Sequence, residues 1–267
     1  MQLKIYLINR YTRHLLLSRF LKKKLNGLPH GYTILANHQC PLSKTLDSSK
    51  QIDSLICMLY KGGAIMKNMA RLRDFIQSLT HLIGETGGDQ TRIFADGKDL
   101  LLALVSHDDW LPDEFAQPSS ERYQQYLLYC DPTERFSVVS FVWGPGQTTP
   151  VHDHTVWGMV GVMRGAETGE EFDLQPAPGF LRSKGTHHLS PGGIDLVSPG
   201  IGDIHKVSNA FNDRVSISIH IYGANIGAVK RHIYESDTGQ KKTFVSGYSS
   251  KVTPNIWDRS TELITGN

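Results

Sequence analysis

The stretch DRVSISIHIYG, residues 213–223, alternates strictly between aliphatic and polar side chains. On a β-strand, successive side chains point to opposite faces. Val215, Ile217, Ile219 and Ile221 therefore share one face, and Ser216, Ser218, His220 and Tyr222 share the other. The aliphatic face belongs in a layer between a sheet and helices. The polar face must look into the interior of the sheet structure, where its groups need hydrogen-bond partners. Two duller assignments fit the same row: a solvent-facing strip, or a nucleophilic Ser–His pair. The second lacks the glycine elbow that exposes a nucleophile and builds an oxyanion hole.

The surrounding sequence extends this β grammar. YQQYLLYC and FSVVSFVW flank a DPTE turn, and GMVGVMRG, GEEFDL, HHLSPGG, IDLVSPG and KVSNAFNDRVSISIHIYG follow with Gly, Pro and Asn-Asp punctuation. Short strands at this spacing imply an antiparallel sandwich or small barrel. Before them, MARLRDFIQSLTHLIGE places Leu72, Phe75, Ile76, Leu79, Leu82 and Ile83 at helical spacing. DGKDLLLALVSHDDWLP reads as a second helix stopped near Pro112, with a short helical or turn segment at Pro118–Glu121. The expected body is mainly β: an antiparallel β-barrel with a small N-terminal helical layer.

Charge divides the chain. Residues 1–65 carry ten Lys or Arg against two acids, whereas the remainder carries 18 against 24. The basic part could form a cationic amphipathic helix suited to a membrane surface, a nucleic-acid tail or targeting. The composition break favours a start of translation at Met66 or Met69, with 1–65 outside the domain and 66–267 forming it. The acidic body is a poor nucleic-acid binder, and no run of 18 apolar residues is present to span a membrane. Cys40, Cys57 and Cys130 are an odd set without paired spacing, so a reducing cytoplasm is expected.

Among the twelve histidines, His152 and His154 are two apart, so a strand would turn both to one face. His205 follows in GDIHKVSN, where a later strand could return it to the same interior. Neutral imidazoles suit iron, zinc, copper or nickel. The stretch GQTTPVHDHTVWGMVGVMRG has Gly146, five residues, His152-x-His154, three residues, Gly158, six residues and Gly165. It resembles the first motif of the cupin family, with Gly158 where a glutamate ligand is usual. PGIGDIHKVSN resembles the second motif, with Gly202, His205 and Asn209 in place and Pro199 one residue early. Three neutral imidazoles leave a divalent ion's charge uncompensated, which favours an anionic ligand from the substrate, such as a thiolate.

Together with the Ser-His-Tyr row, these features resemble the thiol dioxygenases, the cysteine dioxygenase family, over about Met66 to Trp257. The resemblance implies a jelly-roll cupin, Fe(II) held by His152, His154 and His205, and a Ser218–His220–Tyr222 triad. Mammalian members carry a cysteine near the missing glutamate, crosslinked to the triad tyrosine. Gly158 stands there, so no crosslink is expected at Tyr222. In cysteine dioxygenases an early-strand arginine grips the substrate carboxylate, whereas RYQQYLL places Gln125 there. That exchange resembles the bacterial 3-mercaptopropionate dioxygenase branch, as do FSVVSFVWGPGQTTPVHDH and GYSSKVTPNIWD. In that branch an arginine after the triad lies near the active site, and it maps to Arg231.

The resemblance thus implies addition of both atoms of O2 to the sulfur of a small mercapto acid, giving 3-sulfinopropionate from 3-mercaptopropionate. Ser218, His220 and Tyr222 would serve catalysis, and Gln125, Arg231 and Tyr222 substrate binding, with a small thiol and O2 as the only partners expected. L-cysteine is the alternative substrate. A metal-binding cupin sensor or isomerase would use the histidines without needing the Ser-His-Tyr row. Trp143, Trp157 and Met159 either wall the pocket or pack the core.

Overall fold

The computed structural model describes residues 69–175 and 180–250. The basic stretch 1–65, with Cys40 and Cys57, and the residues after 250 lie outside the described residues. Helix α1 (Met69–Thr86) buries Leu72, Phe75, Leu79 and Ile83 on one face, as the 3.6-residue repeat requires. Helix α2 (Gln90–Val105) begins and ends earlier than the sequence pattern implies. Its start is set by the Asp89 carboxylate, which accepts from the backbone N–H groups of Thr91 and Arg92. Its end comes where the chain folds back. Trp110 donates its indole N–H to the Leu104 carbonyl at 3.1 Å. Trp110 and Leu111 are thereby fully buried. The segment expected at Pro118–Glu121 is not helical but bends at 120–122, where the Glu121 N–H donates to Ser119 Oγ, and a 3-10 turn lies earlier, at Asp113–Phe115.

Among the described residues eleven strands follow: β1 (Gln124–Cys130), β2 (Ser137–Trp143), β3 (Val151–His152), β4 (Gly158–Arg164), β5 (Glu167–Leu174) and β6 (Leu181–Leu189). Then come β7 (Ile194–Val197), β8 (His205–Asn209), β9 (Ser216–Tyr222), β10 (Arg231–Tyr234) and β11 (Lys241–Phe244). They form two sheets, ordered β1-β2-β9-β4-β7 and β11-β10-β3-β8-β5-β6, with antiparallel pairing throughout. This is the mainly β, cupin-type jelly-roll arrangement with a small helical part. Strand β6 begins at Leu181, ahead of the expected HHLSPGG. It is an edge strand with mostly exposed side chains, so no alternation marks it. β10 and β11 were not expected; at four residues each they are too short to show a period. The strand expected to carry both His152 and His154 is only Val151–His152, and His154 lies just beyond its end.

Strand β9 divides the apolar interior as its alternation requires. Ile217, Ile219 and Ile221 are fully buried and cluster with Leu79, Ile93 and Leu101 of the helices and with Val138 and Val142 of β2. Burying each isoleucine contributes about 1.5–3 kcal/mol. The opposite face joins a second cluster, in which Val139, Phe141 and Trp143 of β2 meet Tyr222 of β9 and Val207 of β8. Those residues come from both sheets, so this second cluster is the inside of the sandwich. Cys130 is buried and free.

Candidate metal centre

Ladder register brings the three expected histidines together. His152 of β3 lies directly opposite His205 of β8, and His154 follows two residues after His152. Their ligand atoms all lie within 4.8 Å of one another. The ring centroids of His152 are 4.9 Å from His154 and 4.8 Å from His205. All three residues are buried.

The outer nitrogens are committed elsewhere. Nδ1 of His152 lies 3.0 Å from the Pro150 carbonyl, and Nδ1 of His154 lies 2.9 Å from Asp203 Oδ1. Each acceptor fixes its ring as the Nδ1–H tautomer, leaving the Nε2 lone pair free to bind a metal. Asp203 does more than orient one ring. Its two oxygens also accept from the backbone N–H groups of His154 and Thr155 at 3.0 and 2.9 Å. Thr155 has a φ of 60°, a conformation costly for a β-branched residue. Asp203 therefore holds a strained turn that aims His154. On the other side, the Asp153 carboxylate accepts from His232 N at 2.7 Å and the Tyr234 hydroxyl at 2.8 Å, and its Oδ2 pairs with His232 Nδ1. This ties β3 to β10 beside the site.

Burial, and then repulsion from neighbouring cationic groups, hold His152, His154 and His205 well below the usual histidine range. All three are neutral donors at pH 7. Three buried neutral imidazoles with converging lone pairs fit a divalent transition ion. No carboxylate belongs to the cluster among the described residues. The reason is visible at Gly158. A Cβ there would meet Val197 Cγ2 at 2.9 Å and the Tyr222 ring at 3.0 Å. Tyr222, directly opposite on β9, fills the space where a glutamate side chain would begin.

The Ser218–His220–Tyr222 row is continuous. Ser218 Oγ is 2.7 Å from His220 Nε2, and His220 Nδ1 is 2.8 Å from the Tyr222 hydroxyl. Phe141 stacks on the His220 ring at 4.0 Å between centroids. The Tyr222 ring in turn stacks on His154 at 5.4 Å. The row therefore ends against a member of the histidine cluster. Burial raises the Tyr222 phenol far above its ordinary range and lowers His220, so both are neutral.

Arg231 is buried. Ile233 of β10 sits opposite His152, and Arg231, two residues earlier, shares that face. One guanidinium nitrogen donates to Ser246 Oγ at 2.8 Å, and the group lies over the Phe244 ring. Its Nε–H has no hydrogen-bond partner. Burial is the main influence on its pKa and lowers it. Among the described residues no carboxylate lies within ion-pair distance of it. Gln125 is half-buried on β1, directly opposite Phe141, which is itself opposite Ser218. Its backbone is tied to Ser249, whose N–H donates to the Gln125 carbonyl at 2.7 Å.

The wall residues divide. Trp143 faces inward and its indole N–H donates to Ser218 Oγ at 3.3 Å. Met159 is fully buried in the helix-facing cluster, and Trp157 packs edge-on against Phe94 of α2. These two are core residues, as their place on the outer side of the sheet dictates. Sequence reasoning missed Asp203, although it lies inside the quoted GDIH. It also missed Glu167, a buried acid on β5 that no local pattern distinguishes from the exposed glutamates near it.

No family model matches the sequence. Among solved structures, the chain is similar to an uncharacterised conserved protein with a double-stranded beta-helix domain from Klebsiella pneumoniae. Identity is 16%, covering 51% of this chain and 96% of that one, with a TM-score of 0.35. A cupin superfamily protein from Desulfitobacterium hafniense gives 13% identity over 44% of this chain and 93% of that one, at a TM-score of 0.33. An oxalate oxidase in complex with glycolate gives 15% over 40% and 53%, at 0.32. By its own strand order and register, the chain has a cupin-type β fold that carries a three-histidine candidate metal centre.

Proposed function

We propose that this protein is a non-haem Fe(II) thiol dioxygenase acting on a small mercapto acid, with 3-mercaptopropionate converted to 3-sulfinopropionate. One observation carries the reading: the buried Ser218–His220–Tyr222 row that ends against His154. A metal site that only bound or sensed an ion would have no use for a positioned phenol. Iron held by His152, His154 and His205 would supply the redox chemistry that joins both atoms of O2 to the sulfur.

The chain's own residues then have separate tasks. Three neutral imidazoles add no negative charge, so a thiolate is the favoured charge partner of the ion. Arg231, buried and without a carboxylate partner, binds the substrate carboxylate through its fork of N–H donors. Tyr222 presents its hydroxyl to the substrate, and His220 and Ser218 hold that hydroxyl in place. Phe141 and Trp143 keep the inner face of the row dry. Gln125, on the same face, offers no cation to a second carboxylate contact, which disfavours an amino-acid headgroup.

L-cysteine is the second substrate reading, and a sensor or isomerase is the rival of another class. The free, buried Cys130 suits the reducing, cytoplasmic setting proposed here. No helix of the described residues is long and apolar enough to cross a membrane. The test is thiol-dependent O2 uptake by anaerobically prepared, Fe(II)-loaded protein given 3-mercaptopropionate, cysteine or cysteamine. Uptake should be most efficient with 3-mercaptopropionate. Absence of uptake with all three would remove the dioxygenase reading, and higher kcat/KM with cysteine would reverse the substrate order.

A further inference from the structure

Strand β11 ends at Phe244, and residues 245–250 form no regular element. Gly247 is nonetheless buried and its neighbours half-buried. Irregular backbone that is buried must find partners for its polar groups. Here the partners gather around the residues assigned to the substrate. Phe244 lies opposite Arg231 on the β10–β11 ladder, with the guanidinium carbon 4.8 Å from its ring centroid. Ser246 Oγ accepts from a terminal nitrogen of Arg231 at 2.8 Å. Gly247 N–H donates to the Gly227 carbonyl at 3.0 Å. The Tyr248 hydroxyl accepts from Gly227 N–H at 3.0 Å and donates to Asn225 Oδ1 at 2.6 Å. Ser249 closes the run with a reciprocal pair. Its N–H donates to the Gln125 carbonyl at 2.7 Å, and its Oγ accepts from Gln125 N–H at 3.0 Å.

These anchors lie on separate parts of the fold. Gln125 is on β1, the edge strand of one sheet, and Arg231 is on β10 of the other. Among the described residues no ladder joins β1 to β10. Asn225 and Gly227 belong to the 3-10 turn Ile226–Ala228 and its cap, which carry the chain from Tyr222 at the end of β9 to Arg231 at the start of β10. Two glycines permit the contact. Gly247 has a φ of 62°, which a residue with a Cβ adopts only at a cost. A Cβ at Gly227 would run into the Tyr248 ring, which packs on bare backbone there.

We propose that residues 244–249 are a specificity strap, in which Ser246 and Ser249 are positioning residues that fix Arg231 and Gln125 relative to one another. Stacked on Phe244 and held at one nitrogen by Ser246, the guanidinium keeps a single orientation. Its Nε–H, buried and without a partner, is left for an anion. Without the strap, the substrate itself would have to order a flexible arginine stem, which weakens binding. Ser249 acts by a second route. It ties β1 to the strap, and so sets the separation between Gln125 and the guanidinium that a substrate headgroup must span. A thiol bearing a carboxylate is thereby selected over one bearing an amine.

The effect on substrate choice rests on the reading of Arg231 as the carboxylate-binding group; the effect on the guanidinium does not. Both are tested on the full-length, zinc-loaded chain. Nitrogen NMR of arginine-labelled protein gives one Nε–H signal per arginine, and that of Arg231 is identified by its loss in Arg231→Lys. In the wild type this signal should be sharp and exchange slowly with water. Ser246→Ala should broaden it and speed its exchange, and Ser246→Thr, which keeps the hydroxyl, should restore it. An Arg231 signal unchanged in Ser246→Ala would overturn the proposal. Calorimetric titration with 3-mercaptopropionate and with cysteamine reads the second effect. Ser246→Ala and Ser249→Ala should each lower the preference for the mercapto acid by about 2–13-fold, the worth of one hydrogen bond. Ser249 bonds to Gln125 rather than to Arg231, so coupling through the strap requires its effect to vanish in an Arg231→Leu background. Equal weakening of both thiols, or a Ser249 effect that persists without Arg231, would mean that the strap supports only the fold. Binding of neither thiol by the wild type would remove the mercapto-acid reading, while the NMR result would still decide whether the strap holds Arg231.

Discussion

Tyr222 lies directly opposite Gly158 on the β4–β9 ladder, and its ring occupies the space that a side chain at 158 would enter. The absence of a fourth, carboxylate ligand and the presence of a buried phenol are therefore one arrangement. A Gly158→Ala Cβ would sit 3.0 Å from the Tyr222 ring and 2.9 Å from Val197. Both neighbours are packed, so overpacking should cost about 1–3 kcal/mol. Gly158→Glu should not convert the site to a four-ligand centre unless Tyr222 is expelled. Thermal unfolding together with metal titration checks this: a Gly158→Glu protein of wild-type stability and tighter metal binding would contradict it.

Metal affinity should depend on Asp203 as well as on the three histidines. His205→Ala removes a donor and should abolish tight binding of Fe(II), or of Co(II) as a spectroscopic substitute. Asp203→Asn keeps all three donors but loses the charge that orients His154 and holds the Thr155 turn. Loss of such an orienting group weakens metal binding roughly 10–100-fold. Calorimetric titration of the two variants separates a lost ligand from a misaimed one. Equal affinities for Asp203→Asn and wild type would show that the turn holds His154 without its carboxylate.

How far the sequence carries follows from what each signal needs. Strand β9 was legible in full, because both of its faces are buried against different layers and each face wrote its own chemistry into the alternation. The histidine cluster was legible through spacing, although the strand ends at His152 and it is Asp203, not a strand face, that aims His154. Strands β10 and β11 were not, because four residues show no period. The end of α2 was misread because Trp110 and Leu111 continue an apolar rhythm while packing back onto the helix from outside it. Asp203 acts on residues far away in sequence, and only the packed structure reveals it. Arg231 was reached only through the family resemblance, because no periodicity places the Lys230–Arg231 pair; the pairing of β10 with β3 puts it on the His152 side.

Arg231 should discriminate substrates by their carboxylate. Its guanidinium is buried and has an unpartnered Nε–H, so an anionic group would meet a donor already desolvated. A hydrogen bond to a charged group is worth about 1.5–3 kcal/mol, a roughly 10–150-fold effect. Arg231→Leu should raise KM for 3-mercaptopropionate by that order while leaving cysteamine, which has no carboxylate, nearly unchanged. Arg231→Lys should recover only part of the loss, because a point charge cannot copy the fork. Equal losses for both thiols would mean that Arg231 supports the fold rather than the substrate. Gln125→Arg should improve cysteine relative to 3-mercaptopropionate if position 125 faces the headgroup.

The site should also impose two pH dependences of opposite sign on stability. His152, His154, His205 and His220 are all held below the ordinary histidine range, chiefly by burial. The unfolded chain takes up protons near pH 6.5 that the fold refuses. Each histidine therefore removes up to about 1.4 kcal/mol per pH unit as pH falls below 6.5. Metal-free protein should unfold at markedly lower urea at pH 5.5 than at pH 7.5. Glu167 acts the other way. Its folded pKa of about 7 lies above the ordinary 4.5, so its contribution is complete below pH 4.5 and is lost as pH rises through 7. That span corresponds to about 3 kcal/mol. Glu167→Gln cannot ionise, so its stability relative to wild type should climb between pH 5 and pH 8 by an amount of that order. The histidine effect is common to both proteins and cancels in the difference, so paired urea titrations isolate the glutamate. A gap that stays constant across that range would mean that Glu167 titrates as an ordinary carboxylate.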